Sequence, residues 1–205
     1  MRYNFEKVFV VFRKNYQRVP LEVFGKNPYK TLISTLLSSR TRDETTLKAS
    51  KRLFEKAPNI KILSESDIKI LRKLIYPVGF YKTKAKHLKK LAQIILESFN
   101  GKIPMTRADL VNLPGVGRKT ANLVLDRAFG TAAIAVDTHV HKISNRLGWV
   151  KTKTPRETEE ELERILPKKY WSEINRLFVS VGQQFIGKKR LNEFLKSNGL
   201  IDQEA

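Results

Sequence analysis

A chain of 205 residues with 40 Lys and Arg against 20 Asp and Glu carries a formal charge of +20, more than solubility alone requires, so a polyanionic partner is expected. Apolar residues at 41% and charged residues at 29% are close to globular usage and argue against disorder, and the length allows a helical core in one or two domains. The absence of cysteine excludes disulfides, cysteine-ligated zinc and thiolate-bound iron–sulfur clusters.

From the N-terminus, Met1-Arg2-Tyr3-Asn4 leads directly into Phe5, Val8, Phe9, Phe12 and Tyr16, an apolar stripe at helical spacing with Lys7, Arg13 and Lys14 turned to water. Neither a signal peptide nor a membrane span is expected, since the longest mostly apolar stretch, residues 128–136, is too short to cross a bilayer. An intracellular protein, cytoplasmic or nucleoid-associated, is the natural reading. Pro20 and Gly25 interrupt the first segment, and Asn27-Pro28 then reads as a helix cap followed by proline at the first helical position. Tyr29, Leu32, Ile33, Leu36 and Leu37 supply the apolar face of that helix, which runs into the polar turn Ser38-Ser39-Arg40-Thr41-Arg42-Asp43. A helix with Leu47, Leu53 and Phe54 follows. Ser64 and Asp67 resemble a capping box for a helix carrying Ile68, Leu71 and Leu74, which stops before Pro77.

Val78-Gly79-Phe80-Tyr81 is the next turn, with Phe80 readable either as a core side chain or as an aromatic presented to a partner. Lys82, Lys84, Lys86, Lys89 and Lys90 then share a helix with the buried stripe Leu88, Leu91, Ala92, Ile95 and Phe99; the lysines fit phosphate contacts or simply a solvated face. Asn100-Gly101 ends this helix, and Thr106 with Asp109 caps a short one.

Leu113-Pro114-Gly115-Val116-Gly117 cannot continue that helix, because Pro114 lacks an amide hydrogen and the glycines permit backbone angles other residues resist. Apolar residues at helical spacing resume with Val116, Thr120, Ala121, Val124, Leu125 and Ala128, making a helix-hairpin-helix or, on the blander reading, a plain helical connection. The amides opening the second helix suit an anion, and a hairpin of this kind grips a nucleic-acid backbone without reading sequence. Lys119 falls in the first turn of that helix, where the dipole and Arg118 disfavour its protonated form and favour a nucleophilic amine; a solvated surface lysine is the alternative. Asp137 precedes Thr138-His139-Val140, a position suited to a helix N-cap, and a capping carboxylate stays ionised and fixed in direction. His139 and His141 are too close to share a helix face, and no further ligands at zinc-like spacing surround them, so no metal site is expected. Thr154-Pro155-Arg156-Glu157 starts a helix to about Leu166; Trp171, Ile174, Phe178, Val181 and Phe185 mark another, with core aromatics; and Lys188-Lys189-Arg190 precedes a short final helix.

LPGVGRKTAN followed by IAVDTHVHKISNRLGW, together with LLSSRTRD, LIYPVGFYKTKAKHLKK and YWSEINRLFVSVGQQ, resembles the endonuclease III-type helix-hairpin-helix DNA glycosylases, especially their archaeal and eukaryotic branch, from about Tyr29 through Gln184. The resemblance implies an all-α, two-lobed fold: a six-helix lobe over residues 21–131 and a second lobe from residues 1–20 with 132–205, with a DNA-binding cleft between them. It implies Lys119 as the Schiff-base lysine and Asp137 as the catalytic aspartate of a bifunctional N-glycosylase/AP lyase. The substrate would be double-stranded DNA bearing damaged bases, oxidised pyrimidines foremost, or abasic sites, bound by a monomer. Gly115, Val116, Gly117 and Arg118 would hold the backbone, Ser39, Asp43 and His139 would line the base pocket, and Phe80 would be an apolar wedge. Arg40 stands where the family usually has glutamine filling the gap left by the flipped nucleotide, so a stacking role and a phosphate contact both stay open. The family commonly carries a four-cysteine iron–sulfur module after Gly182-Gln183-Gln184; here Phe185 and Ile186 follow, and no cluster is expected, whereas a monovalent cation on hairpin carbonyls near Val116 is compatible with the resemblance. A monofunctional glycosylase, with Asp137 activating water, and a non-catalytic DNA-binding protein are the alternatives.

Overall fold

The computed structural model describes residues 3–202; Met1 and Arg2, read as leading into the first helix, lie outside them. Among these residues all regular structure is helical: α1 (Phe5–Lys14), α2 (Pro28–Ser38), α3 (Asp43–Lys56), α4 (Ile60–Glu65), α5 (Ile68–Ile75), α6 (Tyr81–Phe99), α7 (Arg107–Val111), α8 (Arg118–Phe129), α9 (Thr138–Arg146), α10 (Pro155–Ile165), α11 (Trp171–Gln184) and α12 (Lys188–Ser197), with short 3-10 segments at Pro20–Phe24 and Lys168–Tyr170. The chain divides into two units, one of residues 20–131 and one in which the segment up to Val19 joins the segment from Ala132 onward.

The first unit holds seven α-helices rather than the six expected. The extra one, α4, begins at Asn59, whose side chain accepts from the Ile62 amide at 3.0 Å. Ser64 lies inside α4, where its hydroxyl donates to the Lys61 carbonyl at 2.7 Å, so it caps nothing. Asp67 alone caps α5, accepting from the amides of Lys69 and Ile70. The capping-box spacing misled because two short helices abut there, and an apolar run of a few residues cannot reveal a break by periodicity. α2 starts as its sequence requires, with Asn27 accepting from the Lys30 amide at 2.9 Å and Pro28 opening the helix. Thr31 through Leu37 are then buried without interruption, because α2 packs between α3 and α8. α8 is covered in the same way over Thr120–Leu125. A helix buried on several faces carries less amphipathic signal than one lying on a surface.

In the second unit Phe9, Phe12 and Phe178 form the centre of an apolar cluster, with the Phe9 and Tyr170 rings stacked at 4.1 Å between centroids. α1 packs on α11, and Gln184 at the end of α11 donates to the Asn15 carbonyl at 2.9 Å. Lys188-Lys189-Arg190 forms the first turn of α12 rather than a run ahead of it. Phe194, Leu195 and Leu200 are buried in the cluster, Phe185 stacks on Phe194 at 4.1 Å, and Asn4 and Lys7 donate to the carbonyls of Leu200 and Gly199. The segment following Gln184 is thus held by apolar packing and by bonds from Asn4 and Lys7 at the start of α1. With no cysteine in the sequence, these residues do not fit a thiolate-bound iron–sulfur cluster.

Candidate active site and nucleic-acid interface

The hairpin forms as its sequence demands. Thr106 caps α7 by accepting from the Asp109 amide, and α7 closes with the amide of Leu113 donating to the Leu110 carbonyl and that of Val116 to the Leu113 carbonyl. Gly115 has φ +80, and a Cβ there would lie 2.6 Å from His87 Nδ1, so this glycine is needed both for its backbone angle and for its neighbour. Gly117 is different: φ is −96, and a Cβ would meet nothing within 4 Å. It therefore does not supply an unusual backbone angle, contrary to the expectation for both glycines. It leaves the N-terminal end of α8 bare, with no side-chain cap. Val116 has its side chain buried, so only its backbone is presented. Arg118 and Lys119 are the first two residues of α8 and are both half-buried.

Asp137 belongs to the other unit. Its Oδ1 accepts from the amides of His139 and Val140, each at 2.9 Å, and this makes it the N-cap of α9 at the end of the buried stretch Ala133–Val136. A cap of this kind stabilises a helix by about 1 kcal/mol and fixes the direction of the carboxylate. His139 rests against Gly182 of α11 so closely that a Cβ on that glycine would overlap its ring. It lines a cavity of about 810 Å³ with Asn145, Arg146, Gln183, Phe185 and Lys188. His141 lines the same cavity, and its Nδ1 lies 2.7 Å from Thr158 Oγ1 in a network with Asn145 and Thr152. Among the described residues no group of three or more His, Cys, Asp or Glu could hold a metal ion.

Arg40 and Phe80 come together within the first unit. Both are non-glycine residues in the left-handed region, with φ +52 and +57, a conformation that costs about 1–3 kcal/mol each and persists only where surroundings enforce it. Phe80 is 62% exposed, so it is not the core phenylalanine its sequence also allowed. The Arg40 guanidinium carbon lies 5.6 Å from the Phe80 ring centroid. With Ser39, His87 and Gly115 they line a cavity of about 290 Å³, which therefore joins the hairpin to both turns. Asp43 opens α3, half-buried, and is not among the residues of that cavity.

Lys84 fits neither expectation for its row, a phosphate contact or a solvated face. It is 6% exposed, and its Nζ donates to the carbonyls of Leu37 at 2.8 Å and Ser39 at 2.5 Å. Burial pushes its ammonium down to about 8 from an ordinary 10.5. The signal was in the sequence: Lys84 stands four residues before Leu88 and seven before Leu91, on the apolar side of α6.

A helical hairpin leading into a buried helix, in an all-helical chain, is the fold of the helix-hairpin-helix DNA glycosylases. Residues 33–168 match the HhH-GPD superfamily of base excision DNA repair proteins. The chain is 47% identical over 172 residues to endonuclease III of Thermotoga maritima, covering 84% of this chain and 81% of that protein. It is 47% identical over 159 residues to endonuclease III-like protein 1 of Mus musculus, covering 76% of this chain and 53% of the mouse protein. Among solved structures, a trapped endonuclease III–DNA covalent intermediate, an estranged-adenine complex, superposes with a TM-score of 0.77 at 33% identity, covering 90% of this chain and 88% of the other. The protein belongs to the endonuclease III family of base-excision-repair DNA N-glycosylases with AP lyase activity.

Proposed function

We propose that this protein removes oxidised pyrimidines from duplex DNA and cleaves the strand 3′ to the resulting abasic site by β-elimination, with Lys119 as nucleophile and Asp137 as its partner. The observation that supports the reading is a lysine in the first turn of α8, directly after the hairpin; the other unit separately holds an aspartate whose direction is fixed by two amides. A base stacked in a duplex hides its C1′ carbon, so the nucleotide must first leave the stack. Asp137 then stabilises the positive charge that grows on the sugar as the C1′–N bond stretches, or takes the proton from the lysine ammonium. The Lys119 amine forms a bond to C1′ while the base departs with the electron pair of the glycosidic bond. The C1′–O4′ bond then breaks, O4′ takes the proton lost from the lysine nitrogen, and the open-chain imine, once protonated, acidifies the C2′ proton; its loss expels the 3′ phosphate, and water hydrolyses the imine to free the lysine.

Gly115, Gly117, the Val116 backbone and Arg118 are assigned to the phosphate backbone, Arg40 and Phe80 to the space vacated by the flipped nucleotide, and Ser39, Asp43 and His139 to the base. The protein acts as a monomer on DNA within the cell, in the cytoplasm or on the nucleoid, and works without an iron–sulfur cluster. A monovalent cation on the hairpin carbonyls would help neutralise a phosphate there. Among the described residues no helix is long and apolar enough to cross a membrane.

Borohydride reduction in the presence of a damaged duplex tests the assignment, since only an imine between protein and sugar is captured. Lys119→Ala is expected to abolish covalent capture and strand nicking while duplex binding persists. Capture by this variant at the parent rate would overturn the role of Lys119, and base release without capture by the parent protein would instead mark a monofunctional enzyme.

A further inference from the structure

Three polar atoms meet Lys84 Nζ, and all three are neutral oxygens: the carbonyls of Leu37 and Ser39 and, at 3.4 Å, Thr41 Oγ1. An ammonium has three hydrogens to give, so these acceptors use its capacity and leave none for a phosphate. The first two carbonyls belong to the end of α2, where a helix leaves oxygens without amide partners. Gathering them on one cation ends α2 and turns the chain at Ser39, immediately before Arg40 with its positive φ. Thr41 Oγ1 also accepts from the Gly79 amide at 3.1 Å. Gly79 is pressed against the other turn, since a Cβ on it would lie 2.5 Å from the Arg40 carbonyl oxygen. The next residue is Phe80, the second left-handed position, and its carbonyl accepts from the Lys84 amide at 2.9 Å. From the far side of this turn, Arg52 donates to the carbonyls of Leu74 and Tyr76. Two strained turns from separate parts of the chain are therefore joined at one buried lysine, and their two left-handed residues, Arg40 and Phe80, lie against each other.

We propose that Lys84 is a positioning residue, which sets the Arg40 and Phe80 pair for entry into the duplex through its bonds to the carbonyls of Leu37 and Ser39 and the hydroxyl of Thr41. The proposal rests on the assignment of Arg40 and Phe80 as the inserting pair. Lys84 touches neither DNA nor the reacting atoms. A cation is needed there rather than a neutral group of similar length because it must draw two carbonyls and a hydroxyl toward one point.

The test compares the parent chain, Lys84→Met, Thr41→Val, the double variant Arg40→Ala/Phe80→Ala, and the combination of that double variant with Lys84→Met. Single-turnover base release is measured on a duplex with a paired lesion and on the same lesion in single-stranded DNA, which leaves no gap in a stack to fill. The fluorescence of 2-aminopurine placed opposite the lesion reports disturbance of the estranged base directly. Lys84→Met is expected to slow the paired substrate about tenfold, to leave the single strand within about twofold, and to lower the 2-aminopurine signal. In the Arg40→Ala/Phe80→Ala background it should have almost no further effect, since a residue acting only through that pair loses its lever when the pair is gone. Thr41→Val should move the same readouts in the same direction, and it carries the test alone if Lys84→Met does not fold. Equal slowing of both substrates, or a full tenfold loss added in the double-variant background, would overturn the proposal. If Arg40→Ala/Phe80→Ala left the paired substrate and the fluorescence unchanged, the inserting pair itself would be wrong, and the role of Lys84 would fall with it.

Discussion

Asp137 caps α9 and is the carboxylate proposed for catalysis, and substitutions separate the two roles. Asp137→Asn keeps an oxygen that accepts from the amides of His139 and Val140, so α9 should keep its cap while base release slows by orders of magnitude. Asp137→Ala should in addition lose about 0.5–2 kcal/mol of stability with the cap. Denaturation curves and single-turnover rates on the two variants check this; an Asn variant as unstable as the Ala variant would favour a purely structural aspartate. Lys84 makes a prediction in pH. Its folded-state value of about 8 lies below the ordinary 10.5, so between those limits the unfolded chain binds more protons, and stability contributed by this group rises as pH increases through that window. Below about pH 8 both states are protonated and the group contributes no slope. Unfolding free energies measured from pH 7.5 to 10.5 should therefore climb more steeply, or fall less steeply, for the parent than for Lys84→Met; parallel curves would mean that the ammonium is not desolvated in the folded state.

The hairpin shows at the scale of an element how two glycines two positions apart serve different ends. At Gly115 a methyl group meets both a left-handed backbone angle and the His87 ring, so Gly115→Ala should cost about 1–3 kcal/mol and weaken duplex binding together. At Gly117 the backbone is ordinary and the space is open, so Gly117→Ala should leave stability unchanged or slightly raised, yet still weaken binding by holding the backbone away from phosphate. Thermal melts paired with duplex titrations distinguish the two, and unchanged affinity in Gly117→Ala would remove the hairpin from the DNA interface. The elements themselves were legible wherever caps and periodicity agreed: Thr154-Pro155 opens α10, with Thr154 accepting from the Glu157 amide, and Asn27-Pro28 opens α2. They were illegible at α4, where six residues make too short a period and Ser64 offered a plausible but unused cap.

For the whole molecule, a charge of +20 spread along the chain implies that duplex binding falls steeply with salt, with log K declining by about 0.9 per neutralised phosphate for each unit of log salt. Removing Arg118, the residue proposed to contact a phosphate, should reduce that slope by about one, uniformly across DNA sequences. The second expectation at this scale concerns metal. With no thiolate available and with Phe185, Phe194 and Leu195 packed after α11, the purified protein should be colourless, free of stoichiometric iron and unchanged in its melt by chelators. Metal analysis with thermal denaturation in chelator checks it, and stoichiometric iron whose removal unfolds the chain would refute it.

The sequence by itself determined the helical class, the hairpin, the cap at Asp137 and the family, because each depends on near neighbours: a proline without an amide, a glycine at a turn, a carboxylate before a helix, a run of matching letters. Helical phase even placed Lys84 on the apolar side of α6, although a lysine among lysines reads as solvated until its surroundings are known. Only the tertiary structure decided that Phe80 is exposed and paired with Arg40, that Gly115 is shaped by His87 and Gly182 by His139, and that Lys84 ties Leu37 and Ser39 to Thr41. Those contacts join residues far apart in the chain. What a buried cation does is set by the oxygens folded around it, and no local pattern of letters specifies which oxygens those will be.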